Sequence, residues 1–284
     1  GKAITVRGAD PNNPDTVAAT VIDCEAASLR RGFAFVCGEG QDSILAGVTI
    51  LNGIYYSGSW TSPGYVGGCG VYCANSSPRI EKCVFVSTTG LSTGHELCFT
   101  NSSAAVSDCT IENKTGPAFH VEGGSVLIEK CFIRDSKGLI STAYNGTFEV
   151  RGSIIISNCN SSAYAMRLYS ASTAVLRNCS LRGYGTFDVR NGSTLEFSGC
   201  NLGPMNARTM YAVDLQNAGQ KVRFEYCALR WGQEKINAPA PAVVEMGEGN
   251  FNAKANMGWD SEYRLSYFAE CVNKGNPAYA ALPG

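Results

Sequence analysis

Apolar and polar residues along this chain recur in a six-residue frame: an apolar residue, two variable residues, a cysteine, one variable residue and a second apolar residue. The frame reads Ile80-Glu81-Lys82-Cys83-Val84-Phe85. It returns from Val106 through Cys109 to Ile111, Ile128 through Cys131 to Ile133, Leu176 through Cys179 to Leu181, Phe197 through Cys200 to Leu202, and Phe224 through Cys227 to Leu229. Ile156 to Cys159 fits with Ser161 in the last place, and Leu45 to Ile50 fits with Val48 in the cysteine place. From Cys83 to Cys227 the successive cysteines lie 26, 22, 28, 20, 21 and 27 residues apart. Such a spacing marks an internal repeat.

A second frame falls before most of these cysteines: two apolar residues around one variable residue, then a turn rich in Asn, Gly and Ser. Val71-Tyr72-Cys73, Phe119-His120-Val121, Met166-Arg167-Leu168, Phe187-Asp188-Val189 and Val213-Asp214-Leu215 carry it. Period-2 alternation predicts short strands, and no segment sustains a helical period. Strands this short need partners, and the repeat is too brief to hold crossover helices. Winding the chain so that equivalent strands pair in parallel about 4.8 Å apart satisfies both conditions. The expectation is an all-β protein, a single-stranded right-handed parallel β-helix (solenoid) of roughly nine coils. Residues 1–236 form the helix with a loop insertion at 54–70, and 237–284 form a Pro-rich connection and an aromatic C-terminal tail that caps or docks on the same domain.

The cysteines at 83, 109, 131, 159, 179, 200 and 227 read as a buried structural column, small and weakly polar where Leu would be too large. The chain has 13 cysteines, an odd total, and no CxxC cluster of the kind that binds zinc. Cys24, Cys37, Cys69 and Cys73 stand outside the column, which leaves room for one disulfide among them. Cys98 and Cys271 are likewise unassigned. No metal and no cofactor is expected.

Only 17% of residues are charged and the net charge is −1, which argues against a nucleic-acid partner. No apolar run is long enough to insert in a membrane. Gly1 to Val6 starts within a strand-like pattern, without the basic and apolar regions of an export signal.

Asn75-Ser76-Ser77-Pro78 before the Cys83 frame, together with Lys2-Ala3-Ile4-Thr5-Val6-Arg7-Gly8, resembles the right-handed parallel β-helix repeat proteins of bacteria, extracellular members of the pectate-lyase-like superfamily. The resemblance implies an extracellular or cell-surface location and, before Ala3, a further coil and cap. Related lyases and hydrolases bind an extended glycan along one parallel sheet.

Strand alternation turns the variable residues of the second frame outward as a ladder: Tyr72, Cys98, His120, Arg167, Asp188 and Asp214, with Thr100, Glu122, Tyr169, Arg190 and Gln216 two residues on. A lyase would draw on Arg167, Arg190 and His120, and a hydrolase on Asp188 and Asp214. The motifs of neither class are present. The plainer reading is a solvated ladder in which Arg167 pairs with Asp188, and Arg190 with Asp214, across coils. In residues 54–70, Tyr55, Tyr56, Trp60 and Tyr65 offer rings for sugars or a protein partner, as Tyr169 does on the ladder. Sequons at Asn75, Asn101, Asn113, Asn145, Asn160, Asn178 and Asn191 are glycan acceptors in a secreted eukaryotic chain, although Asn also suits the turns of each coil.

Two functions follow. The first is a non-catalytic scaffold, adhesive or assembly-forming, whose partner is itself, laterally or end to end as a filament. The second is a carbohydrate-active enzyme or glycan-binding module, whose partner is an extracellular polysaccharide. Absence of motifs favours the scaffold.

Overall fold

The structure is a computed structural model, and it describes residues 3–26, 30–54, 67–87, 95–113, 117–134, 141–156, 164–183, 185–203, 210–216, 219–229 and 235–252. Each coil contributes one strand to each of three parallel sheets. In the first coil these are Thr5–Arg7 (sheet 1), Val21–Asp23 (sheet 2) and Phe33–Phe35 (sheet 3). Every pairing within the sheets is parallel and runs from one coil to the next, as in Leu45 to Ile80 to Val106 to Ile128. Among the described residues sheet 2 stacks ten strands. Sheets 1 and 3 are joined into one 18-stranded unit because Phe119–Glu129 turns the corner between them as a single strand. The expected parallel β-helix is therefore the observed architecture. Among the described residues the one α-helix, Pro14–Ala19, sits between the first two strands and is capped by the Asn13 side chain, which accepts from the backbone of Asp15 and Thr16.

Like residues meet at each level of the interior. Sheet 1 turns Leu45, Ile80, Val106, Ile128, Val150, Leu176, Phe197 and Phe224 inward, and all are buried. The rings of Phe197 and Phe224 stack 5.1 Å apart at 2°. Sheet 2 answers with Ile50, Phe85, Ile111, Ile133, Ile155, Leu181, Leu202 and Leu229. Parallel stacking thus converts a sequence period into a continuous apolar core.

The corner from sheet 1 to sheet 2 explains the cysteines. The residue before each takes a left-handed conformation: Lys82 (φ 52°), Asp108 (52°), Lys130 (51°), Asn178 (52°), Gly199 (63°) and Tyr226 (52°). That sharp bend aims the next side chain inward and brings its sulfur near the carbonyl two residues back. Cys109 Sγ donates to Ser107 O at 3.2 Å, and also lies 3.7 Å from Ile80 O of the coil before. Cys83, Cys131, Cys179 and Cys200 repeat both contacts, and Cys227 repeats the first. All six are buried free thiols.

Cys159 lies outside the described residues, and in its coil the column place is held by Ser153 instead. Val150 registers with Ile128, Gly152 bends at φ 53°, and Ser153 Oγ donates to Arg151 O at 3.0 Å. Cys24, Cys37, Cys69, Cys73 and Cys98 are free thiols too, with only Cys37 exposed, so the disulfide allowed among the first four is not formed. Cys271 lies outside the described residues.

The corner from sheet 3 back to sheet 1 uses asparagine. Asn75, Asn101, Asn145 and Asn191 have φ between 49° and 51° there, and Asn178 serves the cysteine corner. These five sequon asparagines are turn residues. Asn113 ends a strand, and Asn160 lies outside the described residues.

Candidate functional site

Sheet 3 has inward residues such as Phe119 and Val121, so His120 between them points outward. Register extends this position along the axis from Tyr72 to Cys98, His120, Thr142, Arg167, Asp188, Asp214 and Asn237. Two residues on, a parallel row holds Ala74, Thr100, Glu122, Tyr144 and Tyr169. The ladder read from the sequence is present, and its uncertain rung is Thr142 with Tyr144.

Its environment differs from the solvated ladder expected. Cys98, His120 and Asp188 are each 0% exposed, although alternation turns them away from the core. Sheet 1 gives the contrast. Its outward row carries Glu129, Glu149, Arg151 and Arg177 in ordinary ion pairs, with the Arg151 side chain 43% exposed. One lateral face of the solenoid is a charged, wet lattice, and the other keeps polar groups away from water.

Asp188 lies at the centre of the covered face. Arg190 Nε, one residue past the end of the strand Thr186–Val189, donates to Asp188 Oδ1 at 2.8 Å, and Arg167 Nε reaches Oδ2 at 3.6 Å from the preceding coil. The expected pair of Arg190 with Asp214 is not formed. The backbone stays extended past the strand end, where Arg190 N donates to Leu168 O, so side chains two apart share a face and Arg190 closes on Asp188. Asp214 instead accepts from Asn237 Nδ2 at 2.7 Å and Gln216 Nε2 at 2.9 Å. Burial pushes the Asp188 carboxyl above the ordinary aspartate range, against the opposing pull of Arg190 and Arg167.

Aromatic rings continue the strip. Tyr144 and Tyr169 stack at 4.9 Å and 8°, Arg190 lies over Tyr169 at 5.5 Å, and Arg167 covers Tyr164 at 3.8 Å. On the other side Tyr144 meets His120 at 5.8 Å, and His120 meets His95 at 4.9 Å. Both imidazoles are buried, which lowers His95 well below the usual histidine range and His120 to about 4. His120 is therefore a covered neutral imidazole, where the sequence suggested a solvated strand residue. Further along, Arg31 sits 4.6 Å above the Tyr72 ring.

His95, Tyr144, Tyr164 and Arg31 were not singled out from the sequence. Tyr144 was within reach of the second frame, since Ala143 aligns with Leu168. His95 stands just before a strand, where no period applies. Tyr55, Tyr56, Trp60 and Tyr65 lie outside the described residues. Among the described residues no group of three or more His, Cys, Asp or Glu is placed to hold a metal, and no helix is long and apolar enough to cross a membrane.

A family model described as a right-handed β-helix region matches residues 40–202, a stretch of about seven coils. Comparison with curated proteins and with solved structures gives no match. Matched over more than half its length, and built from three parallel ladders, the chain belongs to the right-handed β-helix family.

Proposed function

We propose that this β-helix is a carbohydrate-active protein that lays an extended glycan along the outer face of sheet 3 and hydrolyses it between Asp188 and Asp214. The observation that carries the reading is the burial of Asp188 at an outward position of its strand. Burying a carboxylate costs free energy that a surface ladder has no reason to spend, and perturbed acids on one face are a mark of sites. Adjacent coils separate Asp188 and Asp214 by about 4.8 Å at the backbone, a scale compatible with the roughly 5–9.5 Å between carboxyls of hydrolytic pairs. Burial favours the protonated form of Asp188, as a general acid requires, while Asn237 and Gln216 orient the Asp214 carboxylate. Tyr169, partly exposed on the coil before Asp188, supplies a ring beside the pair.

A uronate lyase is less well supported, because Arg167 and Arg190 both face Asp188. An extracellular or cell-surface location is part of the proposal, since polysaccharide is found there. The test is incubation with neutral and uronate-containing polysaccharides, reading reducing ends and unsaturated products separately. Reducing ends from a neutral glycan are expected, falling about 10²-fold or more in Asp188→Asn and in Asp214→Asn. Unsaturated products, or full activity in both variants, would sink the reading.

A second reading, the non-catalytic adhesive or assembly-forming scaffold, draws on the regular stacking of parallel strands along one axis. Parallel solenoids can associate laterally or head to tail, and a head-to-tail contact that does not close grows a filament. Monomers alone at high concentration by size-exclusion chromatography would remove it.

A further inference from the structure

Asp188 stands between the inward Phe187 and Val189 and so faces away from the core, yet it is 0% exposed. A glycan laid along sheet 3 therefore meets the acid only after something moves. Among the described residues two arginines cover it. Arg167 Nε lies 3.6 Å from Asp188 Oδ2, its guanidinium sits 3.8 Å from the centre of the Tyr164 ring, and its side chain is 17% exposed. Arg190 Nε donates to Oδ1 at 2.8 Å, its guanidinium sits 5.5 Å from the centre of the Tyr169 ring, and its side chain is 28% exposed. Arg167 is the deeper set and the more closely stacked, so Arg190 is the side that opens. Its backbone is tied, with the N–H donating to Leu168 O at 2.9 Å and the carbonyl accepting from Ser193 N at 3.1 Å. The movement is confined to the side chain.

The ring beside Arg190 shows what opens it. Tyr144 and Tyr169 are in register on consecutive coils, and the pairing of Leu168 with Val189 puts Arg190 one coil beyond Tyr169. Tyr144, itself buried, stacks on one face of Tyr169 at 4.9 Å and 8°, and the Arg190 guanidinium takes the other. A sugar ring can stack on Tyr169 only where that guanidinium now lies. Taking the place draws the same group away from Asp188. The exchange also loads the acid. Burial pushes the Asp188 carboxyl up, Arg190 of its own coil and Arg167 of the coil before pull it down, and Asp214 of the next coil adds to the upward push. Once Arg190 leaves and the glycan keeps water out, burial meets less opposition, so Asp188 holds its proton more firmly as the glycosidic oxygen arrives to receive it.

We propose that Arg190 is a positioning residue, a latch that keeps Asp188 covered until a sugar residue displaces it from the face of Tyr169, a role that rests on the hydrolytic reading of the strip. The latch also discriminates. A polymer that places no ring on Tyr169 leaves the acid closed.

The test compares the full chain with Arg190→Met, which keeps the stem and removes the guanidinium. One arm contains no glycan: carboxyls are labelled with a water-soluble carbodiimide and glycine ethyl ester and mapped by mass spectrometry. Asp188 is expected to label about tenfold faster in Arg190→Met than in the parent, with the buried Glu96 spared in both. The other arm titrates the neutral polysaccharide that the parent cuts. Displacing Arg190 opposes binding, so Arg190→Met should lower KM about tenfold while kcat stays within about twofold, and the alkaline limb of its kcat/KM profile should move to higher pH. In a Tyr169→Ala background the same change should lower KM by a smaller factor, because ring and guanidinium act at one place. Equal labelling of Asp188 in parent and Arg190→Met, label spreading to Glu96, a fall in kcat at constant KM, or the same KM factor in both backgrounds would overturn the latch. A parent that cuts no glycan, beside Asp188 labelled only in Arg190→Met, would end the hydrolytic reading alone. Hydrolysis lost in Asp188→Asn beside equal labelling would end the latch alone.

Discussion

Glu96 and the His95–His120 pair respond to protons in opposite directions. An unfolded chain protonates histidine near pH 6.5, whereas burial holds His120 at about 4 and His95 well below its usual range. The unfolded state therefore binds more protons between these values. Stability from the pair is complete above about pH 6.5 and drains away as pH falls toward 4. Glu96 has its carboxyl pushed up to about 8 by burial. Its contribution is complete below about pH 4.3, the unfolded value, and is lost as pH climbs through 8. Glu96→Gln keeps the shape and the neutral form. Urea melts should find it unchanged at pH 4 within about 0.5 kcal/mol and more stable than the parent at pH 7 by roughly 3.5 kcal/mol. Equal midpoints for the two proteins at pH 8 would show that Glu96 is not the neutral acid described.

At the scale of the element, the corner between sheets 1 and 2 accounts for the chemistry of the thiols. A left-handed residue followed by a small inward donor is what the bend requires, and cysteine supplies the donor without the desolvation cost of a hydroxyl. Burial pushes the Cys109, Cys200 and Cys227 thiols up, while Cys83 moves down because its hydrogen bond with Cys109 outweighs burial. Access still governs reaction, since the thiolate must meet its reagent. Brief alkylation of the folded protein, mapped by mass spectrometry, should label Cys37 and spare Cys83, Cys109, Cys131, Cys179, Cys200 and Cys227 until denaturant is added. Native labelling of Cys109 at the rate of Cys37 would contradict a closed corner.

The same corner shows how much was legible. Cysteine spacing revealed the coils because like residues stack, a local rule repeated. It misled at Cys159, where residue type matched the frame, while Gly152 and Ser153 met the corner's physical need with other residues. With Ser153 in place the column spacing becomes 26, 22, 22, 26, 21 and 27. Alternation also gave the outward row of sheet 3 correctly. It could not give the burial of His120 and Asp188, because cover over a strand comes from chain distant in sequence. Nor could it choose between Asp188 and Asp214 as the partner of Arg190, a matter of side-chain reach.

For the whole molecule, three ladders around one core set up two unlike lateral faces. Sheet 1 presents ions that screen one another, and sheet 3 presents rings and a covered acid. Both are held by strands that run across the long axis, so the backbone hydrogen bonds of all three sheets run along it. Tension between the two ends therefore pulls on those bonds lengthwise, and peeling a coil from the stack needs only the rungs of that coil to part. Stretched in an optical trap, the protein should lengthen in steps, each freeing the 21 to 27 residues of a coil. At about 3.3–3.6 Å per residue that is about 70–95 Å of chain per step. A single rupture releasing the entire described length would mean the coils fail together. Stepwise yielding would make this rod a shock absorber: it gives ground under load and rewinds one turn at a time when the load is removed.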